Sequence, residues 1–504
     1  MLSRHGFRLA VLALAILVAT IFAPSTHDDG YITYRFAANL AHGRGFAFNP
    51  GESVLGTSAP GYALLLALVA ALGSPLGIGV EAAGAAASLA ALVALALAFS
   101  ALRLGTPGQR REPPDLACWI FALLLFASRW IVEMLGSETV AATALIAWAF
   151  VLASRQRSPA FAGGLAGLAA TFRADAALAV GALAVVFWLR ERRLPWRFLV
   201  AALALPAACA GWLLATFGSV LPNTLAGKRS ELSFTTGSYL TAEWDWLARS
   251  FSTPGAWLMV LIALFGLREI GRARGRGRGL LLAAVGWISA HELFYHLVGV
   301  PFSPWYQIAT FVCLLALVAI GAPALQHRLL RGRLFAALPP VARPVAFAIP
   351  LLLLLPASSS TVRFWRDHWA VPPDPRLRVH RDAALELARI SPPAASVAAV
   401  EIGALAYFSD RRVVDLVGLV NPAILAARRE GRVGEVLRLD PPDYLLDNPN
   451  FHDSFLAFFL ADEELYGFYR EVARFHRPEY PFELRLLARE PGRKSGSDRM
   501  RRSG

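Results

Sequence analysis

The chain has 504 residues, of which 56% are hydrophobic and only 17% are charged. Soluble domains of this size rarely have such a composition, which therefore excludes an ordinary water-soluble enzyme and predicts an α-helical polytopic membrane protein. The formal charge of +13 does not indicate nucleic-acid binding. The arginines interrupt apolar stretches instead of lining one face, as expected where they orient helices in a bilayer.

Apolar stretches recur along the first 357 residues. A spanning helix needs about 20 apolar residues, and eleven stretches are predicted to span, although some are short. The first lacks a good signal-peptide cleavage pattern and is predicted to be a retained anchor. Residues 60–72 are apolar but too short to span, so we predict a helix in the membrane interface there. The predicted spans are 7–23, 80–102, 115–135, 138–154, 158–172, 175–189, 196–217, 254–267, 280–298, 305–322 and 338–357.

The basic residues orient these predicted spans. With eleven crossings, roughly 19 Arg and Lys fall on one side of the membrane and roughly 6 on the other. The positive-inside rule places the amino terminus in the cytoplasm. It places the first outer loop (24–79), the second large outer loop (218–253) and the tail beyond residue 358 outside it. We expect a multi-pass protein of the inner (cytoplasmic) membrane.

The composition changes at residues 358–360, where long apolar runs give way to Pro, Asp and Arg. We predict a membrane module over 1–357 and a small extracytoplasmic α/β domain over 358–490. The last residues, 491–504, are polar and predicted to be disordered. Within the domain the pattern predicts strands at 397–400, 413–416 and 444–446 and helices at 381–390 and 455–460.

Two adjacent carboxylates, Asp28 and Asp29, open the first outer loop just before a predicted amphipathic helix. A carboxylate there can accept a proton from a hydroxyl group or hold a divalent cation near a phosphate. The simpler interpretation is a helix amino-terminal cap. A cap explains a single Asp better than it explains an adjacent pair at a membrane surface.

Other ionisable and aromatic residues lie near the predicted outer helix ends. Charged groups at such depth either line a cavity or pair locally, as Arg173 and Asp175 could. In the second outer loop Lys228 and Arg229 suit a lipid phosphate, although basic residues also bind ordinary lipid head groups. For Trp305 and Tyr306 an aromatic belt is the simpler interpretation. The remaining intramembrane candidates are Arg129, Glu133, Glu138, His291, Glu292 and His296.

Several common catalytic motifs are missing from the sequence. It has no Walker loop, no zinc-ligand spacing and no Gly-x-Ser-x-Gly elbow. This argues against an ATP-driven transporter and against a serine hydrolase.

The first outer loop, DDGYITYRFAANLAHGRGFAFNPGE over 28–52, resembles that of bacterial GT-C superfamily glycosyltransferases. It resembles especially those enzymes that are similar to the mycobacterial terminal arabinofuranosyltransferase. Other pieces follow that family's order along the chain. They are Gly-Ser-Glu-Thr at 136–139, Arg-Ala-Asp at 173–175, Leu-Pro-Asn-Thr at 221–224 with Lys228, Trp-Tyr at 305–306 and Asp-Leu-Val-Gly-Leu at 415–419.

The resemblance implies an inverting membrane glycosyltransferase. Such an enzyme takes a sugar from a polyprenyl-phosphate carrier and transfers it to a glycan, lipid or protein acceptor outside the cytoplasm. The family's presumed base maps onto Asp28 or Asp29, and a divalent cation held by this pair is the open alternative. The cations for the departing phosphate would be Arg173, Lys228, Arg229 and His296. Substrate-positioning residues would be Tyr31, Arg35, Glu138, Asp175, Asn223, Trp305 and Tyr306.

Two other functions fit the composition. A carrier would place intramembrane charges along a pathway, with inverted repeats and broken helices at mid-membrane, and the sequence has neither feature. A non-enzymatic envelope-assembly protein would use its outer domain to dock a partner and would not need the acidic pair.

Overall fold

The computed structural model describes residues 4–22, 27–103, 116–155, 158–231, 239–250, 252, 254–272, 276–330, 366 and 374–490. The chain forms two compact units. The helical unit comprises Met1–Ser25, Gly84–Cys209 and Gly237–Pro373. The loop–tail unit comprises Thr26–Ala83, Ala210–Thr236 and Asp374–Gly504.

Helices dominate the described chain up to residue 330. In order they are α1 (Arg4–Phe22), α2 (Asp28–Ala41), α3 (Pro60–Gly73), α4 (Val80–Arg103), α5 (Leu116–Ala127), α6 (Arg129–Val132), α7 (Glu138–Ser154), α8 (Pro159–Phe172), α9 (Ala177–Glu191), α10 (Trp196–Phe217), α11 (Asn223–Glu231), α12 (Tyr239–Ser250), α13 (Pro254–Arg272), α14 (Arg276–Val298) and α15 (Ile308–Leu330).

The first ten predicted spans each coincide with helix. The stretch 115–135 is not one helix, however, because Ser128 has extended backbone angles and separates α5 from α6. Serine competes with the helix by bonding to nearby backbone groups, and it therefore favours such breaks. The eleventh predicted span, 338–357, lies outside the described residues.

Within the described chain, four helices are long and apolar enough to cross a membrane. They are Arg4–Ile21, Val80–Leu102, Trp196–Phe217 and Pro304–Arg328. The count of eleven spans therefore stays a prediction. The predicted interfacial segment is helical as α3, which begins at Pro60, and proline is favoured in the first helical turn.

Small residues allow two helices of the helical unit to pack closely. A Cβ atom at Gly266 of α13 would lie 2.1 Å from the carbonyl oxygen of Leu317, and one at Gly321 of α15 would lie 1.9 Å from that of Ile262. Any side chain at either position would force the helices apart. Close backbone approach through small residues is typical of membrane helices.

The tail continues with α16 (Arg376–Ile390), β1 (Ser396–Ala399), α17 (Gly403–Ser409), β2 (Arg412–Asp415), α18 (Pro422–Arg429), α19 (Val433–Leu439), β3 (Tyr444–Asp447), α20 (Ala457–Leu460), α21 (Glu463–Tyr466), β4 (Tyr469–Arg477) and β5 (Tyr480–Arg489). The five strands form one sheet in the order β2-β1-β3-β5-β4. Strands β2, β1 and β3 are parallel, and β5 and β4 extend the sheet as antiparallel strands.

The three predicted strands are present as β1, β2 and β3. Strands β4 and β5 were not predicted from the sequence. Strand β4 lies at the sheet edge, and its residues are largely exposed and charged. Without an apolar face it lacks the alternation by which a strand is recognised in a sequence.

Segments of both predicted outer loops pack with the tail inside the loop–tail unit. The Asn49 side chain exchanges two hydrogen bonds with the backbone of Val413, at 2.9 and 3.0 Å. Arg35 and Arg44 both form ion pairs with Asp410. The predicted boundary at residues 357 and 358 falls outside the described residues, and the division there stays a prediction.

Candidate active site

Asp28 and Asp29 are the first two residues of α2, where carboxylates interact favourably with the helix dipole. They have different environments. Asp28 is only 4% exposed, and its carboxylate accepts hydrogen bonds from the backbone N–H groups of Gly403, at 3.1 Å, and Ala404, at 2.8 Å. The N-cap position of α2 is His27. Asp28 thus caps α17, whereas the simpler interpretation made it a cap of its own helix.

Asp29 is the more accessible of the two carboxylates, with 35% of its side chain exposed. Its Oδ2 atom accepts a hydrogen bond from Lys228 Nζ at 3.0 Å. The structure therefore brings together a first-loop acid and a second-loop cation that are 199 positions apart in the chain.

The two carboxylates also differ in pKa. Burial raises the pKa of Asp28 to about 6, and the negative charge of Glu401 adds to this effect. Burial would also raise the pKa of Asp29, but the adjacent Lys228 ammonium outweighs it and holds that pKa at about 2. At neutral pH Asp29 is therefore ionised and partly exposed, but it is a weak base while Lys228 is bound to it.

Lys228 is positioned by the way in which α11 packs on the tail. The Asn223 side chain donates hydrogen bonds to the carbonyl oxygens of Gly418, at 2.7 Å, and Leu419, at 3.1 Å. These carbonyls lie in a loop that follows β2. The Asp415 carboxylate holds the loop by accepting hydrogen bonds from the backbone N–H groups of Val417 and Val420. Asn223, predicted to position substrate, therefore holds α11 in this structure. The next residue after Lys228, Arg229, is exposed.

Tyr31 and Arg35, two other predicted positioning residues, are buried within the loop–tail unit. The Tyr31 hydroxyl donates to Glu81 at 2.8 Å. Arg35 donates to the Phe48 carbonyl at 3.1 Å and forms an ion pair with Asp410. Both side chains have protein partners that fix α2, and substrate contact by either stays a prediction.

A second charged cluster lies in the helical unit around Arg173. This guanidinium donates to Asp175 at 3.1 Å, to Glu138 at 3.0 Å and to the Tyr295 hydroxyl at 2.6 Å. Asp175 also accepts from Tyr295 at 2.8 Å and lies 2.9 Å from His291 Nε2. The cluster brings predicted site residues together, but the carboxylates of Asp175 and Glu138 already bond Arg173.

A small, partly open pocket adjoins this cluster. Trp305 and Tyr306 form part of its wall, and the Arg173 guanidinium lies 5.7 Å from the centre of the Tyr306 ring. Within the described part of the chain, two buried nitrogen atoms of lining residues, Trp287 Nε1 and His291 Nδ1, have no partner at hydrogen-bond distance, and the Glu292 carboxylate lies 3.8 Å from His291 Nδ1. The remaining lining residues include Thr139, Thr143, Ile146, Asp175, Ile308 and Ala309.

His296 also lies in the helical unit, on α14. Its Nε2 atom is 3.2 Å from Glu243, and its ring packs edge-on against Tyr239. The Gln307 amide nitrogen donates to Glu243 and to Glu292, both at 2.9 Å. His296 therefore faces a carboxylate in this structure, as Arg173 does.

The acidic pair does not fit a shared divalent cation. Asp28 directs its two oxygens to backbone N–H donors, and the Lys228 ammonium lies 3.0 Å from Asp29. A second cation there would meet the charge of Lys228 at close range. Among the described residues, no group of three or more His, Cys, Asp or Glu side chains could hold a metal ion.

The tail residues that contact Asp28 were not predicted from the sequence. Gly403 and Ala404 bond its carboxylate, and its backbone N–H donates to Asp374 at 3.2 Å. Backbone donors leave no residue-type signal, and these partners lie about 350 positions or more along the chain. No motif could have pointed to them.

Comparisons with known proteins identify the fold. Residues 374–493 match a family profile described as "Domain of unknown function (DUF8728)". No curated protein matches the chain in sequence.

Three solved structures are similar over nearly the whole chain. ArnT from Cupriavidus metallidurans, bound to undecaprenyl phosphate, has a TM-score of 0.61 at 14% identity, covering 97% of this chain and 99% of ArnT. The mycobacterial arabinofuranosyltransferase AftD has a TM-score of 0.55 at 21% identity, with 98% and 40% covered. The Archaeoglobus fulgidus oligosaccharyltransferase, in complex with Zn and sulfate, has a TM-score of 0.55 at 13% identity, with 95% and 72% covered. The chain thus spans about two fifths of AftD, and it has the GT-C fold of these membrane glycosyltransferases.

Proposed function

We propose that this chain is an inverting membrane glycosyltransferase that moves a sugar from a polyprenyl-phosphate carrier to an acceptor outside the cytoplasm. The observation that carries the proposal is the contact between Asp29 and Lys228, which places an ionised carboxylate beside a cation. The GT-C fold supports it, and the ArnT structure contains undecaprenyl phosphate, a carrier of the required chemistry.

The reaction is a direct displacement. The acceptor oxygen bonds to the anomeric carbon while the bond from that carbon to the phosphate oxygen breaks. Polyprenyl phosphate leaves with the electron pair, and the acceptor proton passes to Asp29. Attack opposite the leaving group inverts the anomeric centre. The enzyme must therefore supply a base, a positive charge at the phosphate and alignment of the two reactants.

Lys228 supplies the positive charge at the phosphate. The leaving phosphate gains negative charge as the bond breaks, and the ammonium then interacts with it more strongly than in the ground state. As Lys228 turns toward the phosphate, its hold on Asp29 weakens and the pKa of Asp29 rises from about 2. The same motion makes the carboxylate a better base when the proton must be taken.

Among the proposed cations, Arg173 and His296 are less suited to bind the phosphate than Lys228. Arg173 bonds two carboxylates, and His296 lies beside Glu243. A phosphate there would meet these negative charges. We assign phosphate binding to Lys228, assisted by the exposed Arg229, and we assign Arg173 to shaping the neighbouring pocket. That pocket has an aromatic wall formed by Trp305 and Tyr306, a kind of surface on which a sugar ring can stack.

The orientation of the protein follows from the positive-inside rule. We propose that the loop–tail unit faces outward from the inner membrane, where no nucleotide-sugar pool exists and a lipid must deliver the activated sugar. The acceptor is a cell-envelope glycan, a glycolipid or a protein. A divalent cation is not needed for this scheme.

A complementation experiment tests the proposal. A deletion strain would receive the wild-type chain, Asp29→Asn or Lys228→Met, with expression confirmed by immunoblot. Asp453→Asn and Arg429→Ala are matched controls, because both residues are exposed tail positions. We expect one sugar to disappear from the extracted envelope glycans and to return with the wild type and both controls only. Unchanged glycans in the deletion strain, or full rescue by Asp29→Asn, would overturn the proposal.

A further inference from the structure

The parallel strands of the tail form a topological switch point. From β1 the chain passes through α17 to β2 on one side, and it then returns through α18 and α19 to β3 on the other. In open α/β sheets the crevice at the carboxyl ends of two such strands, here β1 and β3, commonly receives a ligand. In this protein the residues that follow β1 contact the chain's own α2.

The tail contributes backbone atoms to this contact, and the two segments are too close for a side chain at Gly403. Gly403 and Ala404, which follow β1, donate their N–H groups to the Asp28 carboxylate. A Cβ atom at Gly403 would lie 1.9 Å from the Asp28 carbonyl oxygen, which is a steric clash for any side chain. Glycine is therefore required at this position for α2 to begin where it does.

Charged side chains hold the same contact from the other side. Asp374 accepts the backbone N–H of Asp28 at 3.2 Å and is itself bonded by Arg376 at 2.9 and 2.8 Å. Arg376 also donates to Glu401 at 2.6 Å, and His380 Nε2 lies 2.9 Å from Glu401. Asp28 thus has partners at its carboxylate and at its backbone, all from the tail.

We infer that Asp28 is a positioning residue: the tail clamps it through Gly403, Ala404 and Asp374, and this clamp sets the direction in which Asp29 points. Successive residues of an α-helix are separated by about 100° around its axis. Fixing Asp28 toward the tail therefore fixes Asp29 on a different side, where Lys228 meets it. The inference rests on the proposed function, since Asp29 is the base whose position matters.

The clamp gives the tail a role in the chemistry. A displacement of about 1 Å at a reacting group can lower turnover on the order of 100-fold. Loosening the clamp should therefore lower kcat while leaving the binding of the carrier and the identity of the base unchanged. A residue that only supports folding would not produce this separation.

The experiment compares variants of the full chain in lipid nanodiscs. Release of undecaprenyl phosphate from synthetic undecaprenyl-phosphoryl pentoses and hexoses, with an envelope extract of the deletion strain as the source of acceptor, would give kcat, KM and the pH–rate profile. The variants are Gly403→Ala, Asp28→Asn and Asp29→Asn. Gly434→Ala is the matched control, because a Cβ atom there would lie 3.6 Å or more from its neighbours, at ordinary contact distance.

We expect Gly403→Ala to lower kcat on the order of 100-fold, with KM unchanged and the acid limb of the pH profile still present. Asp28→Asn keeps the size of the side chain but turns an amide group toward one of the two N–H donors, so it should lower kcat in the same way. Gly434→Ala should match the wild type. Wild-type kcat in Gly403→Ala or in Asp28→Asn would overturn the clamp.

The two proposals fail differently. If Asp28→Asn removes the acid limb of the pH profile, Asp28 is the base and the inference is overturned, while the transferase reaction stands. If Asp29→Asn keeps full turnover, the assignment of the base under the proposed function fails. If no sugar donor yields undecaprenyl phosphate with the wild-type chain, the proposed function itself fails.

Discussion

The Asp29 cluster of the loop–tail unit and the Arg173 cluster of the helical unit contain the same kinds of side chain but differ in how fully these are paired. Arg173 bonds Glu138, Asp175 and Tyr295, so its positive charge is already neutralised. Asp29 is paired with Lys228 and is partly exposed. A saturated cluster holds structure together, whereas an ion pair that can exchange one partner for a substrate supports chemistry.

The largest expected effect separates the two clusters by activity. Asp29→Asn removes the proposed base, and general-base catalysis contributes roughly 10²–10⁴-fold, so turnover should fall by that factor. The thermal unfolding midpoint should change little, because the side chain is partly exposed. Release of undecaprenyl phosphate and a thermal melt on the same sample check both parts. A large loss of stability would assign Asp29 a structural role.

The converse change tests the saturated cluster. Arg173→Met leaves Asp175 and Glu138 without their cation, and breaking a buried ion pair costs about 3–5 kcal/mol. The variant should therefore melt at lower temperature and be poorly produced, while undecaprenyl phosphate should bind the folded fraction with wild-type affinity. Native mass spectrometry measures that affinity. Loss of binding without loss of stability would return the phosphate role to Arg173.

Lys228→Met should change both the binding of the carrier phosphate and the pKa of Asp29. A hydrogen bond to a charged group contributes about 1.5–3 kcal/mol, so undecaprenyl phosphate should bind roughly 10- to 150-fold more weakly. Because the ammonium holds the pKa of Asp29 at about 2, its removal should raise that pKa. The acid limb of the pH–rate profile would then move to higher pH. Arg429→Ala, the exposed-cation control, should change neither quantity.

The tail offers a smaller, pH-dependent test. Burial would lower the pKa of His380, but the Glu401 carboxylate raises it from 6.5 to about 9. The corresponding stabilisation, on the order of 3 kcal/mol, is fully present below pH 6.5 and is lost as the pH rises through 9. His380→Gln should flatten the pH dependence of the melting midpoint between these values. An unchanged slope would contradict the ion pair.

Much of the helical part of the fold could be predicted, because long apolar runs in a membrane protein indicate helices. Ten predicted spans coincide with helices, and the adjacent acids could be placed at the start of α2. The separate environments of Asp28 and Asp29 could not be predicted. They depend on Gly403 and Lys228, which the chain brings to these carboxylates from 375 and 199 positions away. The break at Ser128 was missed because the apolar run continues on both sides of it. The edge strand β4 was missed because most of its residues are polar and exposed.

The most direct test of the central claim is a transfer assay with the purified full chain. Synthetic undecaprenyl-phosphoryl pentoses and hexoses would be incubated with wild type, Asp29→Asn and Asp453→Asn, with an envelope extract of the deletion strain as the source of acceptor. Released undecaprenyl phosphate would be measured by mass spectrometry. The account predicts release from at least one donor by the wild type and Asp453→Asn, and at least a 100-fold slower release by Asp29→Asn. Equal release by Asp29→Asn, or no release from any donor, would contradict it.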